Sequence, residues 1–403
     1  MVPPWQPPAS QDNCGTHCYF APELPQAGSS NPGSLFGATP SAAAPTLIYP
    51  FSGSVHPLNM LSITFQWHRS ARAHSFAQLH VAGATAWDFY LACDHVRHFV
   101  LDANLDDCVY ELPQGSWGAL AYENRGKTVQ ATLSTSDGAS SVSAPSAELA
   151  LTFSEDAVQG ALYFWSIGND ASGQYSSGIL RAPFGAAKAQ PYILPGSAEN
   201  PETCGGCHAL SRNGEVIAFA AGADSNTGHL LAAQTETPAQ HSISASAGQI
   251  AVLMTLNPDG SRLLAARGDG VLDLWDVKGG AKISTVSPQF LAGNGATHPE
   301  WSPDGTAIAV TLAPPDAFNA EMDGTWDTWS VRAGGIGLLP YNNGAFGQVT
   351  TVVPVSSTEI NCFPTFSPDG KWLAFVTGAP GGPYMDNTQN PNTRLRLLSL
   401  DSG

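Results

Sequence analysis

The chain has 403 residues, of which 43% are hydrophobic and 12% are charged. This length predicts two or three packed domains, and the many glycines (41) and prolines (31) favour short strands joined by tight turns. The 16 Lys and Arg residues against 33 Asp and Glu residues leave a net charge of -17. Because such a surface repels phosphate backbones and anionic lipids, nucleic acid is excluded as an expected partner.

No run of about 18 or more uncharged apolar residues is present, so no transmembrane segment is predicted. The N-terminus, MVPPWQPPAS, lacks the basic start and the apolar core of a secretion signal. Cys93 and Cys108, however, bracket a strand and its return, which predicts a disulfide bond and an oxidising compartment. We therefore expect an exported protein, periplasmic or extracellular, whose signal peptide is not present in this sequence. Association with the cell surface is compatible with this location.

Residues 1–44 are rich in Pro, Ser, Gly and Ala and have almost no periodic apolar pattern, which predicts an extended linker. Within this segment lies the run CGTHC, from Cys14 to Cys18. A disulfide between these two cysteines is expected rather than a metal site with His17, because only three potential ligands are present.

Residues 45–157 contain short alternating runs such as LSITFQWH, FAQLHVAG and WDFYLAC, each of strand length and bounded by Gly, Pro, Asp or Asn. About seven such strands predict an immunoglobulin-like or fibronectin-like β-sandwich, with Trp67 in its core. Such a domain usually spaces or binds, so no catalytic site is expected in it.

Residues 158–403 contain four copies of one pattern: a small polar residue, a turn closed by Asn-Gly or Asp-Gly, and an apolar strand. The copies are SRNGEVIAFAAG, NPDGSRLLAARG, SPDGTAIAVTLA and SPDGKWLAFVTG, whose turn glycines are Gly214, Gly260, Gly305 and Gly370. The steps between these glycines are 46, 45 and 65 residues, and the surplus in the last step is expected as an insertion loop in PPDAFNAEMDGTWDTW. A period near 45 is that of one four-stranded propeller blade, so an all-β chain that ends in a β-propeller is predicted. GALYFWSIGN, GILRAPFG and AQPYIL, which precede the first copy, are expected to be the outer strands of another blade.

The runs WSPDG at 301–305 and FSPDG at 366–370 resemble the repeats of the TolB-type β-propeller family. The resemblance covers about residues 160–403 and implies a fold rather than an activity, since propellers host many functions. The repeats amount to about four and a half blades, and an open ring would leave unpaired strand edges. We therefore expect an incomplete propeller, truncated at the C-terminus, with further blades downstream.

The run CGGCH at 204–208 has the C-x-x-C-H pattern, which is the attachment signal of c-type haem. In that chemistry Cys204 and Cys207 form thioether bonds to the haem, and His208 becomes an axial ligand of the iron. At the residue frequencies of this chain the pattern is expected by chance only about 0.003 times. The motif therefore predicts one covalent haem c.

By this motif alone the segment resembles the c-type cytochromes, without their small helical fold. CGGCHALS followed by a repeat also resembles a group of bacterial surface proteins. A more remote resemblance is to the alpha subunit of hydrazine synthase, in which haem and propeller share one chain. Three other interpretations of the motif stay open: a thioredoxin-like redox pair, a zinc site, and a plain disulfide between Cys204 and Cys207.

A sixth iron ligand can be sought by aligning the repeats. Counting back three residues from the small polar residue of each turn places Met254 where the first repeat has His208. A thioether ligand there would favour a high reduction potential and electron transfer. His298, in THPEW, is the competing candidate, and Met322 is the third. As alternatives, Met254 fills the core and His298 forms a hydrogen bond within its turn.

These features predict an exported c-type haem protein that transfers electrons to or from a redox partner protein or a small-molecule donor or acceptor. One alternative is a five-coordinate, peroxidase-like haem oxidoreductase. The other is a haem-free surface module that binds glycans or proteins through its propeller.

Overall fold

In the computed structural model the chain is all-β apart from one α-helix and three short 3-10 helices among the described residues, as predicted. The structure describes residues 5–25, 31–61, 63–93, 107–169, 175–186, 188–194, 205–221, 229–236, 251–267, 269–318, 331, 333–379 and 393–401. The chain divides into two compact units: residues 1–162 with 182–189, and residues 163–181 with 190–403.

The first unit contains two β-sheets, with strand orders β1-β6-β5-β8-β9-β3 and β2-β4-β7, and one helix. Their bounds are β1 (Cys18–Phe20), β2 (Thr46–Tyr49), β3 (Ser54–His56), β4 (Thr64–His68), β5 (Phe76–Ala82), β6 (Trp87–Ala92), β7 (Asp107–Glu111), α1 (Gln114–Glu123), β8 (Thr128–Ser136) and β9 (Leu149–Phe153).

The strand order of this unit is that of the predicted immunoglobulin-like or fibronectin-like sandwich. The sheet β2-β4-β7 corresponds to strands A, B and E of that fold. In the other sheet, β6-β5-β8-β9 corresponds to strands C′, C, F and G, and β1 and β3 are additions at its edges. Trp67 is fully buried between the sheets, as predicted, with Trp87 and Trp117. The Trp117 indole, on α1, donates a hydrogen bond to the carbonyl of Met60 at 3.0 Å, so its polar atom is satisfied inside an apolar core.

The prediction of an extended linker over residues 1–44 is wrong for part of that segment. Strand β1 pairs in parallel with β6, and Phe20 and Leu24 are buried. A short segment without periodicity of its own can still add to the edge of an existing sheet, because its partner supplies the hydrogen bonds and the apolar contacts.

Two disulfide bonds are present among the described residues, and both were predicted. One joins Cys14 and Cys18, and the other joins Cys93 and Cys108. The second bond links the end of β6 to β7, and these strands belong to different sheets. Both bonds fit a protein that resides in an oxidising compartment.

The other described strands form sheets of three, three, four and eight strands, and the eight-stranded sheet holds two meanders joined by one parallel pair, Gly334 with Ile360. We name the resulting five consecutive meanders blades 1 to 5. Blade 1 contains β10 (Ala161–Asn169), β11 (Tyr175–Pro183) and β12 (Gln190–Ile193); blade 2 contains β13 (Gly205–Leu210), β14 (Val216–Ala221) and β15 (His229–Gln234). Blade 3 contains β16 (Ala251–Leu256), β17 (Arg262–Arg267), β18 (Leu272–Asp276) and β19 (Lys282–Thr285). Blade 4 contains β20 (Gly295–Trp301), β21 (Ala307–Ala313), β22 (Gly334–Asn342), β23 (Ala345–Phe346) and β24 (Thr350–Ser356); blade 5 contains β25 (Ile360–Phe366), β26 (Trp372–Gly378) and β27 (Arg394–Ser399).

The packing of the blades confirms the predicted propeller. The first strands of blades 2 to 5 (β13, β16, β20 and β25) lie side by side in chain order, and apolar side chains fill the space between consecutive blades. Between blades 1 and 2, for example, Ile179 and Ile193 pack with Ile217 and Phe219. Consecutive meanders arranged with their first strands together and their faces in contact are the architecture of a β-propeller.

Each repeated turn is stabilised by its own side chains. In blade 4 the Ser302 hydroxyl accepts a hydrogen bond from the main-chain N–H of Ala307 at 3.0 Å and donates one to the Asp304 carboxylate at 2.6 Å. Asp304 also accepts from the N–H of Thr306 at 3.0 Å. These hydrogen bonds lower the pKa of Asp304, and the one from Ser302 has the largest effect. Gly305 closes the turn with a φ of 73°, which favours glycine because it has no Cβ.

The same turns also contact the neighbouring blades. A Cβ atom on Gly305 would lie 3.3 Å from Cδ of Pro258 in blade 3, and a Cβ atom on Gly370 would lie 3.7 Å from Pro303 in blade 4. The proline and the glycine of S-P-D-G therefore form both the turn and part of the interface between blades.

We expect Gly305→Ala to destabilise the protein more than Gly214→Ala. Both glycines have a φ of 73°, so each substitution costs about 1–2 kcal/mol of left-handed strain. Gly214 has open space around it, whereas a methyl group at Gly305 meets Pro258. Urea denaturation of the two variants measures the difference, and equal losses of stability would show that the contact between blades is unimportant.

Candidate functional site

The predicted haem ligand His208 lies on β13, the first strand of blade 2. It pairs with Phe219 on β14, and the register between the two strands shifts between Gly205 and His208, which indicates a β-bulge within the motif. Cys207 is half-buried on the same strand. Cys204, the first cysteine of the motif, lies outside the described residues.

The imidazole of His208 contacts blade 1. Its Nε2 atom donates a hydrogen bond to the main-chain carbonyl of Tyr163, on β10, at 3.2 Å. Burial lowers the pKa of His208 below its usual value, and the carbonyls of Tyr163 and Gly206 act in the opposite direction. His208 is therefore a neutral imidazole at pH 7, which is the form that binds metal ions.

Aromatic side chains of blade 1 lie next to the motif strand and to one another. The rings of Tyr163 and Tyr192 meet edge to face at 5.0 Å between centroids, and the Tyr163 hydroxyl accepts a hydrogen bond from Nε of Arg181 at 3.0 Å. A Cβ atom on Gly206 would lie 3.6 Å from the Trp165 ring. The motif strand thus lies directly against blade 1.

The prediction of outer strands for residues 160–193 does not account for these neighbours. In the structure β10 pairs with β11 alone among the described strands, and the carbonyl of Tyr163 on β10 meets the first strand of blade 2. Strand β10 is therefore the innermost strand of blade 1, and the prediction of outer strands is wrong for it. The apolar run LYFW at 162–165 was the available signal, since a run of this kind suits a buried inner strand.

The donor chemistry of the motif suits a c-type haem, but its conformation in this structure differs from the one that attachment needs. Cys204, Cys207 and His208 are spaced i, i+3 and i+4, and side chains at this spacing share one face of a helical turn, whereas they do not share one face of a strand. Residues 205–210 form a strand, and Nε2 of His208 is engaged by Tyr163. Haem attachment thus requires 205–208 to leave β13 and Nε2 to leave Tyr163, a change that Gly205 and Gly206 make easier because glycine is conformationally permissive.

Met254 is used in packing. It lies on β16 at the position that corresponds to His208 on β13, since it pairs with Ala265 as His208 pairs with Phe219. Its side chain, however, is buried in the apolar cluster between blades 2 and 3, whereas His208 contacts blade 1. The cluster also contains Val216, Ala218, Leu230, Ala232, Leu256, Leu263 and Trp275. The structure therefore favours the alternative interpretation, in which Met254 fills the core.

His298, the competing ligand candidate, lies at a bulge of β20 between Thr297 and Glu300. Only 6% of its surface is exposed, its φ is 48°, and its ring centroid lies 4.0 Å from that of Phe363. Its buried Nδ1 atom has no hydrogen-bond partner within the described part of the chain. The predicted hydrogen bond within the turn is therefore not seen there, and burial lowers the pKa of His298 to about 3.

Met322, the third candidate, lies outside the described residues. Within the described ranges, no group of three or more His, Cys, Asp or Glu side chains converges on a point where a metal ion could bind. In the same ranges, no helix combines the length and the apolar character needed to cross a membrane.

No family model and no curated protein matches this chain. Among solved structures, TolB from Acinetobacter baumannii is similar with a TM-score of 0.41 and 12% sequence identity, over 68% of this chain and 64% of the TolB chain. This chain thus covers less than two thirds of that protein's length. An oligogalacturonate lyase from Vibrio parahaemolyticus has a TM-score of 0.31 and 10% identity, over 61% of this chain and 72% of the lyase. Both TM-scores are below 0.5, so the propeller assignment rests on the strand order given above.

We expect the free energy of unfolding of the haem-free protein to decrease as the pH is lowered, partly because of His298. Its folded pKa of about 3 lies below the ordinary value of about 6.5, so the unfolded state binds the proton first. The stability present above pH 6.5 is then lost towards pH 3, at up to about 1.4 kcal/mol per pH unit.

The test is urea denaturation between pH 4 and 7. His298→Asn should flatten the curve, because it removes the titrating group and asparagine tolerates positive φ. The exposed His68 supplies the control substitution His68→Asn. A His298→Asn curve parallel to that of the wild type would contradict this account.

Proposed function

We propose that this protein is an exported c-type haem protein that transfers electrons. Cys204 and Cys207 form the thioether bonds, and His208 is the proximal ligand. The observation that carries the proposal is the C-x-x-C-H run, whose histidine is a neutral imidazole on the first strand of a propeller blade. When bound, the haem supplies a one-electron iron couple whose potential depends on its ligands and surroundings.

As an iron ligand through Nε2, His208 would carry its ring proton on Nδ1. In this structure Nε2 instead donates a hydrogen bond to the Tyr163 carbonyl, so iron binding would need the other tautomer. Metal-bound histidines commonly donate their second ring N–H to a main-chain carbonyl or a carboxylate, and the Gly206 carbonyl is the second main-chain oxygen that interacts with this imidazole.

The sixth ligand of the proposal is His298 rather than Met254, although His298 lies in blade 4 and packs against Phe363 of blade 5, so its binding to the iron would also require a rearrangement. The Met254 thioether is buried between blades 2 and 3, whereas His298 is a neutral imidazole with a buried nitrogen that has no partner among the described residues. An imidazole ligand favours a lower reduction potential than a thioether ligand does. The redox partner is a protein or a small molecule, and the net charge of -17 favours a partner with a basic surface.

Specific observations also favour each of the two alternatives. The burial of Met254 in the core favours an open sixth position, and so a peroxidase-like haem oxidoreductase. The strand conformation of the motif and the hydrogen bond of His208 to Tyr163 favour a haem-free surface module that binds glycans or proteins.

We expect wild-type protein that is produced with a cytochrome maturation system to carry one haem on the peptide 204–208. Mass spectrometry of that peptide measures the adduct, and the double variant Cys204→Ser/Cys207→Ser is the matched control. A wild-type peptide without the adduct would refute the proposal and favour the haem-free module.

We expect His298→Asn to convert the low-spin spectrum of the reduced protein to a high-spin one and to allow binding of carbon monoxide. Met254→Ala should leave the visible spectrum unchanged while it lowers the stability by about 2–5 kcal/mol, because it opens a cavity in the core. If the resting wild type already binds carbon monoxide or cyanide at low concentration, the sixth coordination position of the iron is open. That result would favour the peroxidase-like alternative over electron transfer.

A further inference from the structure

His74, which precedes β5 in the first unit, is a buried imidazole whose two ring nitrogens both lie within hydrogen-bond distance of hydroxyl groups. Only 1% of its surface is exposed. Its Nε2 atom lies 2.9 Å from Oγ of Ser141, and its Nδ1 atom lies 2.9 Å from Oγ1 of Thr135 and 3.1 Å from Oγ of Ser70. An imidazole held between a hydroxyl and a third polar group is the arrangement that activates a hydroxyl as a nucleophile.

The surroundings of His74 suit the tautomer and the charge that such a base needs. Nε2 accepts a proton only if the ring proton resides on Nδ1, and the hydroxyl of the buried Thr135 is an acceptor for that proton. Burial lowers the pKa of His74, Asp137 acts in the opposite direction, and Arg69 lowers the pKa further. The imidazole is therefore neutral at pH 7, while the carboxylate of Asp137 favours the imidazolium that forms during a reaction.

Ser141 is held in place by its own turn. Asp137 accepts hydrogen bonds from the main-chain N–H groups of Ala139 and Ser141, both at 2.9 Å, and the N–H of Asp137 donates to the carbonyl of Ser141 at 3.1 Å. The Ser141 hydroxyl also lies 3.3 Å from the hydroxyl of the exposed Ser41. Ser141 is itself partly exposed, so a molecule from solution can reach its hydroxyl while the base stays buried.

We propose that Ser141 and His74 form a catalytic dyad that hydrolyses small carboxylic esters with a good leaving group. Oγ of Ser141 attacks the carbonyl carbon of the ester while its proton passes to Nε2 of His74. The bond from that carbon to the alcohol oxygen then breaks, and Nε2 gives the proton to the departing alcohol. Water attacks the acyl-serine with the same base, which releases the carboxylic acid and restores the serine. The Ser41 hydroxyl is a donor for the carbonyl oxygen as it becomes negative.

This activity goes beyond the proposed function and is independent of it. The dyad lies in the β-sandwich, for which the sequence predicts no catalytic site, and it uses no residue of the propeller. Its parts come from three distant places in the chain: Ser41, His74 and the segment 135–141. Sequence patterns do not reveal such a site, because only the folded sheets bring these residues together.

The test is the reaction of the full chain with a fluorophosphonate, in which the serine oxygen bonds to phosphorus and fluoride leaves. Peptide mass spectrometry locates the adduct, and p-nitrophenyl acetate measures turnover. We expect the adduct on Ser141 in the wild type and none at this position in Ser141→Ala. His74→Gln should be labelled about 10²–10⁴-fold more slowly, because the general base is lost. Ser140→Ala removes the exposed neighbouring hydroxyl and should be labelled on Ser141 at the wild-type rate.

A pH profile of the wild type tests the base even if His74→Gln does not fold. The labelling rate should stay level from pH 8 to about pH 6.5, the ordinary pKa of histidine, and fall in more acidic solution, because burial lowers the pKa of His74. A rate that does not fall on acidification overturns this inference, as does a folded His74→Gln that reacts as fast as the wild type. A wild type without an adduct on Ser141 overturns it as well, and each of these results leaves the proposed function standing.

Discussion

The apolar packing between consecutive blades determines where the candidate residues of the second unit point. Each blade covers one face of the next, so a side chain on the first strand of a blade faces either the preceding or the following blade. His208 and Met254 hold corresponding positions on β13 and β16, and each faces the preceding blade: His208 contacts blade 1, and Met254 packs against blade 2. Two residues that are equivalent in the repeat are thereby separated by a whole blade.

The propeller fold and haem attachment require different conformations of the motif at 204–208. As part of a propeller blade, residues 205–210 extend and pair with β14. As the proposed haem attachment segment, they would need a turn that brings positions i, i+3 and i+4 to one face. The bulge before His208 and the two adjacent glycines are at the point where these requirements conflict. In the strand conformation, the neutral imidazole of His208 donates its Nε2 hydrogen bond to the carbonyl of Tyr163.

The first unit is stabilised in a different way, by a closed sandwich core and by covalent links. The Cys93–Cys108 bond connects its two sheets, and the Cys14–Cys18 bond closes a loop that leads directly into β1. Cross-links of this kind reduce the conformational freedom of the unfolded chain. They complement a core in which three tryptophans are fully buried.

Local features were determined by the sequence itself: the S-P-D-G turns, the alternating strands, the Cys93–Cys108 pair and the burial of Trp67 all follow from residues near one another in the chain or from a period of the pattern. Tertiary structure alone decided that β1 joins a sheet, that β10 is an inner strand, that Met254 belongs to the core, and that Tyr163 contacts His208. These outcomes depend on contacts between residues from about 20 to more than 60 positions apart, and local propensity does not encode which distant surface a side chain meets.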